Sequence, residues 1–326
     1  MRSPSVFLAA PEVPTAPESM QQLVAGQLSG ACNWPDEQRD GLINALLERY
    51  GEGVRAILIY GSYLRGKRDT LLDFYVLLDR YAAMKSRWQS FLAWLLSPNV
   101  YQVRHGAPPA EARAKYALMT LGRFEHAMQH DFHSYFWARF TQPSGLVYCR
   151  DDASRERVVQ AICDASSRFV KHVVPRLPEQ FSSADLVSTG LSLTYRCELR
   201  SEPAGHAEAL YGHNAAYYQD LVKGLAVDSK QFTATATADQ FTNTTSKGQK
   251  RWAVFSWWLR RLQGKVLSVL RLLKATLTFS GGFDYLLWKI SRHSNVQIEP
   301  TERQRRYPLI FGWPLLWRLY RCGAFR

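Results

Sequence analysis

Two short apolar runs limit the fold more than any other feature of the chain. The first, Val54-Arg-Ala-Ile-Leu-Ile-Tyr60, is β-branched and closes on Gly61-Ser62; the second, Phe74 to Leu78, follows Asp73 and closes at Asp79. Short runs of this composition bounded by turn formers read as buried strands. Only the charged stretch Arg65 to Asp69 lies between them, room for a turn or a short helix. Around the pair the periodicity is helical. Leu42 to Tyr50 (LINALLERY) ends at Gly51 and Gly53, residues 80–98 and 150–175 end at Pro98 and Pro175, and a second helical unit runs from about Ser182 to Ala226. Residues 116–149 mix strand and helix. Strands interspersed with helices predict an α/β (α+β) architecture.

A chain of 326 residues with 46% apolar side chains has enough material for more than one core without metals or disulfides. Composition divides it into a Pro/Ala/Ser-rich lead-in (1–20), a strand-containing domain (21–150), a helical domain (151–226), a polar Thr-rich linker (227–249) and a basic segment (250–326). The five cysteines are odd in number, widely spaced and never in a CxxC pair, which reads as reduced thiols. The apolar stretch Val6 to Ala10 is too short for a secretory signal, and no run is long enough to span a bilayer, so any membrane contact is peripheral, at a cytoplasmic face.

Charge is distributed unevenly. Residues 250–326 hold 15 basic and 3 acidic side chains, whereas the remainder is nearly neutral, and six of the ten tryptophans lie in the same segment. A basic, Trp-rich segment points to an anionic lipid surface and away from a nucleic-acid groove. On a helical wheel of residues 250–279, Trp252, Phe255, Leu259, Leu262, Val266, Val269, Leu270, Leu273 and Leu277 share a face. Lys250, Arg260, Arg261, Lys265 and Arg271 fall opposite, with Lys274 at the flank. That separation predicts a helix lying in a membrane interface with its bases toward headgroups; the alternative is a core-packing helix with a solvated basic face.

A strand ending in Gly-Ser, a loop and an acidic residue opening a second strand is the outline of the nucleotidyltransferase superfamily. The small Gly followed by a hydroxyl lets Tyr60-Gly61-Ser62 approach a triphosphate. Asp73 is the candidate Mg2+ ligand. Asp79 lies on the same side of the strand but about 20 Å away at roughly 3.3 Å per residue, too far to share the metal. Lys115 and Arg139 are candidates for neutralising phosphate oxygens. His126, His130 and His133 would share a face if all were helical, yet beside Phe132, Tyr135 and Phe136 they read as packing or surface groups.

With one aspartate in place of Asp-x-Asp, the chain resembles the mitochondrial-type phosphatidate cytidylyltransferases, the translocator assembly and maintenance family. The resemblance runs in order from Tyr-Gly-Ser (60–62) and Leu-Asp-Phe (72–74) through Lys-Tyr (115–116) and Tyr135, Ala138, Arg139 and Pro143. It continues with Leu177-Pro178-Glu179, Phe181-Ser182 and Asp185-Leu186, then Thr194-Tyr195, Glu198, Arg200, Asn214 and Leu221. It covers roughly residues 45–225. The family commonly has Gly where this chain has Tyr63 and Ala117. The resemblance implies transfer of CMP from CTP to phosphatidate with Mg2+, giving CDP-diacylglycerol and pyrophosphate. It also implies a nucleotidyltransferase domain, a winged-helix-like helical domain and a membrane-binding C-terminal segment. Two other functions stay open: a nucleotidyltransferase acting on RNA or another acceptor, and a catalytically degenerate membrane adaptor.

Overall fold

The computed structural model describes residues 20–31, 36–67, 71–81, 96–107, 111–199, 203, 205–278, 301–302 and 314. The lead-in, most of the helix expected over 80–98 and most of the tail beyond Thr278 lie outside these residues.

A five-stranded mixed sheet forms the centre. Its strands are β1 (Val54–Tyr60), β2 (Leu72–Leu78), β3 (Asn99–His105), β4 (Ala112–Thr120) and β5 (Gly145–Cys149), in the order β3-β4-β2-β1-β5. The two apolar runs pair directly as antiparallel β1 and β2, and β4 lies parallel to β2. Alternation sorts the side chains between two cores. Ile57, Ile59, Phe74 and Val76 pack toward helix α2 (Glu37–Tyr50), while Leu58, Tyr75, Leu77 and Met119 pack toward the remaining helices. Helix α2 starts where the Asp36 side chain accepts from the Arg39 N–H, and ends at Gly51, whose φ of 55° suits glycine.

The larger core is shared by α1 (Met20–Gly30), α3 (Leu121–Gln129), the short turn α4 (Trp137–Phe140) and α5 (Asp152–Val173). It continues through α6 (Ser183–Tyr195), α7 (His206–His213) and α8 (Ala215–Val227). One contiguous apolar cluster thus crosses the boundary expected at 150/151, because α5 lays its buried face against α3 and α4.

The stretch expected as a polar linker, 227–249, is instead part of the fold. Strands β7 (Phe232–Ala234) and β8 (Gln240–Asn243) join β6 (Gln180–Ser182) in a second, three-stranded sheet of order β6-β8-β7. Phe181, Phe232 and Phe241 seal it, each within 5.7 Å of the other two ring centres. The Asn243 carboxamide donates to the carbonyls of Val174 and Leu177, tying β8 to the turn that follows α5. Phe232 and Phe241, with Phe181 from β6 and one well-placed amide, suffice for so small a sheet, which is why the Thr-rich composition of the stretch misleads.

Helix α9 (Lys247–Thr278) closes the structure, and its orientation corrects the expected roles of its faces. Ala253, Ser256, Trp257, Arg260, Gly264 and Lys274 are buried against the body, while the apolar strip from Trp252 to Leu270 faces outward. Arg260 donates from Nε to the Phe132 carbonyl and from Nη1 to Ser256 Oγ, and it stands over the rings of Phe132 and Trp257. The Lys274 ammonium donates to the carbonyls of Leu96 and Pro98 and to Asn99 Oδ1. Those bases, expected to meet headgroups, are the fasteners that hold α9 to the protein; Arg251, Arg261 and Lys265 remain exposed. Among the described residues no helix is long and apolar enough to cross a membrane.

Candidate active site

The expected site residues converge at one end of the five-stranded sheet. Tyr60, the last residue of β1, is in register with Asp73 at the start of β2, and Asp73 is in register with Lys115 on β4. Residues in register on neighbouring strands share a face, so these three side chains form a row on the α4 side of the sheet. Asp79 stands at the opposite end of β2, its N–H bonded to the Gly53 carbonyl, outside this row.

Gly61 leaves β1 with φ 93° and ψ −156°, a backbone that L side chains rarely adopt. A β-carbon there would also stand 3.3 Å from the Asp73 carboxylate. The glycine thus permits both the turn and the approach of Asp73 to it. Ser62 opens a 3-10 turn through Arg65, which Gly66 closes in the left-handed region at φ 83°. Tyr63, where glycine is usual in the resembling family, points into the other core, and its hydroxyl bonds to Asp36. Its side chain therefore leaves the approach to Ser62 open. Ala117, the other departure, is buried in the larger core.

Arg139 comes from α4 and meets the row at Tyr60. Its Nη1 donates to the Tyr60 hydroxyl at 3.2 Å, its guanidinium lies over the Tyr135 ring at 4.4 Å, and the Glu198 carboxylate stands 4.0 Å away. Burial raises the Tyr60 hydroxyl well above the ordinary tyrosine range; Arg139 opposes that shift and Asp73 adds to it. Tyr60 is therefore a neutral group that orients Arg139. Glu198, a motif residue in the sequence, is the acidic group that stands beside Arg139; Arg200 lies outside the described residues.

Beside Gly61 opens a pocket of about 280 Å³ whose walls include Gln27, Arg65, Gln142, Asn214 and Tyr218. Of these, the sequence marked Arg65 only as the start of the charged stretch between the strands and Asn214 only as a motif residue without a role. Gln27 on α1 and Gln142 after α4 carry no local signal, since folding alone brings them to Gly61. Tyr135 was likewise visible as a motif residue, but nothing in its spacing marks it as a ring beneath Arg139.

The three histidines do not share a helix, because α3 ends at Gln129 and His133 falls in the following loop. His126 and His130 have ring centres 5.1 Å apart, while His133 is buried and accepts from the Tyr135 N–H. Among the described residues no group of three His, Cys, Asp or Glu side chains is placed to hold a metal. Asp73 supplies one carboxylate, which fits Mg2+ only in the manner of sites where substrate phosphates and water complete the shell.

No protein-family model matches this chain, and no curated protein matches its sequence.

Proposed function

We propose that this chain is a Mg2+-dependent nucleotidyltransferase that transfers CMP from CTP to phosphatidate at a membrane surface, giving CDP-diacylglycerol and pyrophosphate. The observation that carries the reading is the row of Tyr60, Asp73 and Lys115 beside the Gly61-Ser62 turn, with Arg139 bonded to the Tyr60 end of it. A strand-end Gly-Ser facing an aspartate that opens the neighbouring strand is the nucleotidyltransferase arrangement. The succession α5, β6, α6 to α8 and the β7–β8 hairpin follows the order of a winged helix. The outward apolar strip of α9 supports peripheral attachment to the membrane that holds the lipid substrate.

In the reaction an oxygen of the phosphatidate phosphate bonds to the α-phosphorus of CTP while the bond to the bridging oxygen of the β-phosphate breaks. Pyrophosphate leaves with that electron pair. Gly61 gives the triphosphate backbone access, Ser62 offers a hydroxyl and an N–H, and Lys115 and Arg139 neutralise phosphate oxygens. Asp73 would hold Mg2+, whose contribution when bound is to offset charge on the transferring and departing groups. The carboxamides of Gln27, Gln142 and Asn214 offer the donors and acceptors that a nucleobase edge requires.

Pyrophosphate release and lipid product, measured from CTP, Mg2+ and phosphatidate vesicles with Asp73→Asn as control, test the reading. CDP-diacylglycerol made only by the unsubstituted protein is the expected result. CTP binding without lipid product would move the acceptor to RNA or another group. Failure to bind CTP would leave the membrane adaptor, the reading that the single carboxylate favours.

A further inference from the structure

Tyr135 stands between two cations drawn from distant parts of the chain. The Arg139 guanidinium carbon lies 4.4 Å from the centre of its ring, and that of Arg271, on α9, lies 4.3 Å from the same centre. Arg271 is fastened differently from the other inward bases of α9. Lys274 has three oxygen acceptors, and Arg260 bonds to a carbonyl, a hydroxyl and an imidazole. Arg271 donates one long bond, 3.4 Å, to the Ser97 carbonyl, and its buried Nε has no hydrogen-bond partner among the described residues. A base serving only to anchor the helix would satisfy its donors, because an unmet buried donor costs stability. Arg271 forgoes that and keeps its charge over the Tyr135 ring.

We infer that Arg271, acting through Tyr135, is a positioning residue for Arg139, so that the seating of α9 sets how firmly the site holds a phosphoanion. The inference rests on the reading of Arg139 as a phosphate-contacting cation. With Arg271 in place the ring is fixed and offers its π-face to Arg139, which keeps the guanidinium on Tyr60, at the β1 end of the row. Without Arg271 the ring gains room to turn, and Arg139 closes onto Glu198, 4.0 Å away, where its charge is neutralised internally.

The test is calorimetric titration of the full chain with inorganic pyrophosphate and Mg2+. Arg271→Ala should weaken binding by roughly three- to thirtyfold, the range that a desolvated cation–π contact supplies, and Arg271→Lys should restore most of it. In an Arg139→Ala background the Arg271→Ala change should have no further effect, since the two act as one unit. Tyr135→Leu, a change in the body and not on α9, should reproduce the weakening, and it replaces Arg271→Ala in the cycle should that variant fail to fold. Unchanged binding by Arg271→Ala alongside weakened binding by Arg139→Ala would overturn this inference alone. Equal weakening by Arg271→Ala with and without Arg139 would reduce Arg271 to a structural anchor and overturn it as well. Binding by Arg139→Ala equal to the unsubstituted protein would remove Arg139 from the site and overturn both readings.

Discussion

Arg260 and His172 meet where α9 sits on α5, with the guanidinium Nη2 3.2 Å from the imidazole nitrogens. Arginine has only donors to offer, so the imidazole accepts and is neutral. Burial first, and then Arg260, Arg168 and Lys171, push His172 down to about 3. Nearby His133 is pushed down to about 4 by burial and by Arg271 and Arg260, against an opposing pull from Asp131. Both lie below the free value of about 6.5, so as pH falls through that value the unfolded chain takes up protons that the folded chain refuses. Stability therefore falls as pH drops from about 6.5 towards 4, by about 2 kcal/mol per histidine at pH 4.5. Urea unfolding between pH 4.5 and 7.5 measures this. His172→Gln should flatten the dependence, and a flat profile in the unsubstituted protein would contradict a neutral buried pair.

Gly264 governs how closely α9 approaches the body. A β-carbon there would collide with the Cys197 carbonyl and come within 2.7 Å of His133 Nε2. The first obstacle is backbone and does not swing aside, so the helix would have to lift. Gly264→Ala should cost about 1–3 kcal/mol despite alanine's better helix propensity, seen as a melting temperature lower by several degrees. Gly248→Ala, whose nearest neighbour would be a serine hydroxyl at 3.8 Å, should be neutral or mildly stabilising.

What the sequence displayed and what it concealed follow from the range of the interactions involved. β1 and β2 were legible because strands buried on both faces are continuous apolar runs, and the Gly-Ser turn and Asp73 mark their ends. The division of α9 into two faces was also legible, as periodicity is local. Which face turns inward was not, because the partners of Arg260, Arg271 and Lys274 are carbonyls and rings at Phe132, Tyr135 and Leu96 to Asn99, far away in sequence. The usual expectation that an apolar face packs inward was overridden by acceptors that composition cannot reveal. Gly61, Asp73, Lys115 and Arg139 were each visible as residue types. Their convergence depends on the strand register and on Tyr60, which links the sheet to α4.

Gly61 offers a substitution whose effect separates binding from folding. Alanine at φ 93° is strained, and its β-carbon would press on the Asp73 carboxylate at 3.3 Å. The strain costs about 1–3 kcal/mol, which a core of this size tolerates. The displaced carboxylate, however, alters the one acidic group in the row. Gly61→Ala should remain folded by circular dichroism while its affinity for CTP with Mg2+ falls at least tenfold. Gly51→Ala, at a positive φ but with nothing near its β-carbon, should pay a comparable stability cost and keep its affinity.

The outward strip of α9 yields the sharpest test of membrane attachment. Trp252, Phe255 and Trp258 follow one another at helical spacing, their ring centres 5.6 Å and 5.9 Å apart, and Trp252 and Trp258 are 65% and 59% exposed. Leu262, Val266, Val269 and Leu270 extend the strip. Large contiguous apolar surfaces on a folded protein mark contact sites, and an aromatic start with Arg251, Arg261 and Lys265 alongside suits an anionic lipid interface. Removing all of α9 would confuse the result, since it would uncover Trp137 and the groups that hold Arg260. Phe255→Glu with Trp258→Glu avoids this, because both side chains point away from the seat. The double variant should keep its melting temperature within a degree or two yet lose co-sedimentation with phosphatidate-containing vesicles. Undiminished co-sedimentation would place the attachment elsewhere in the chain and leave the strip without this role.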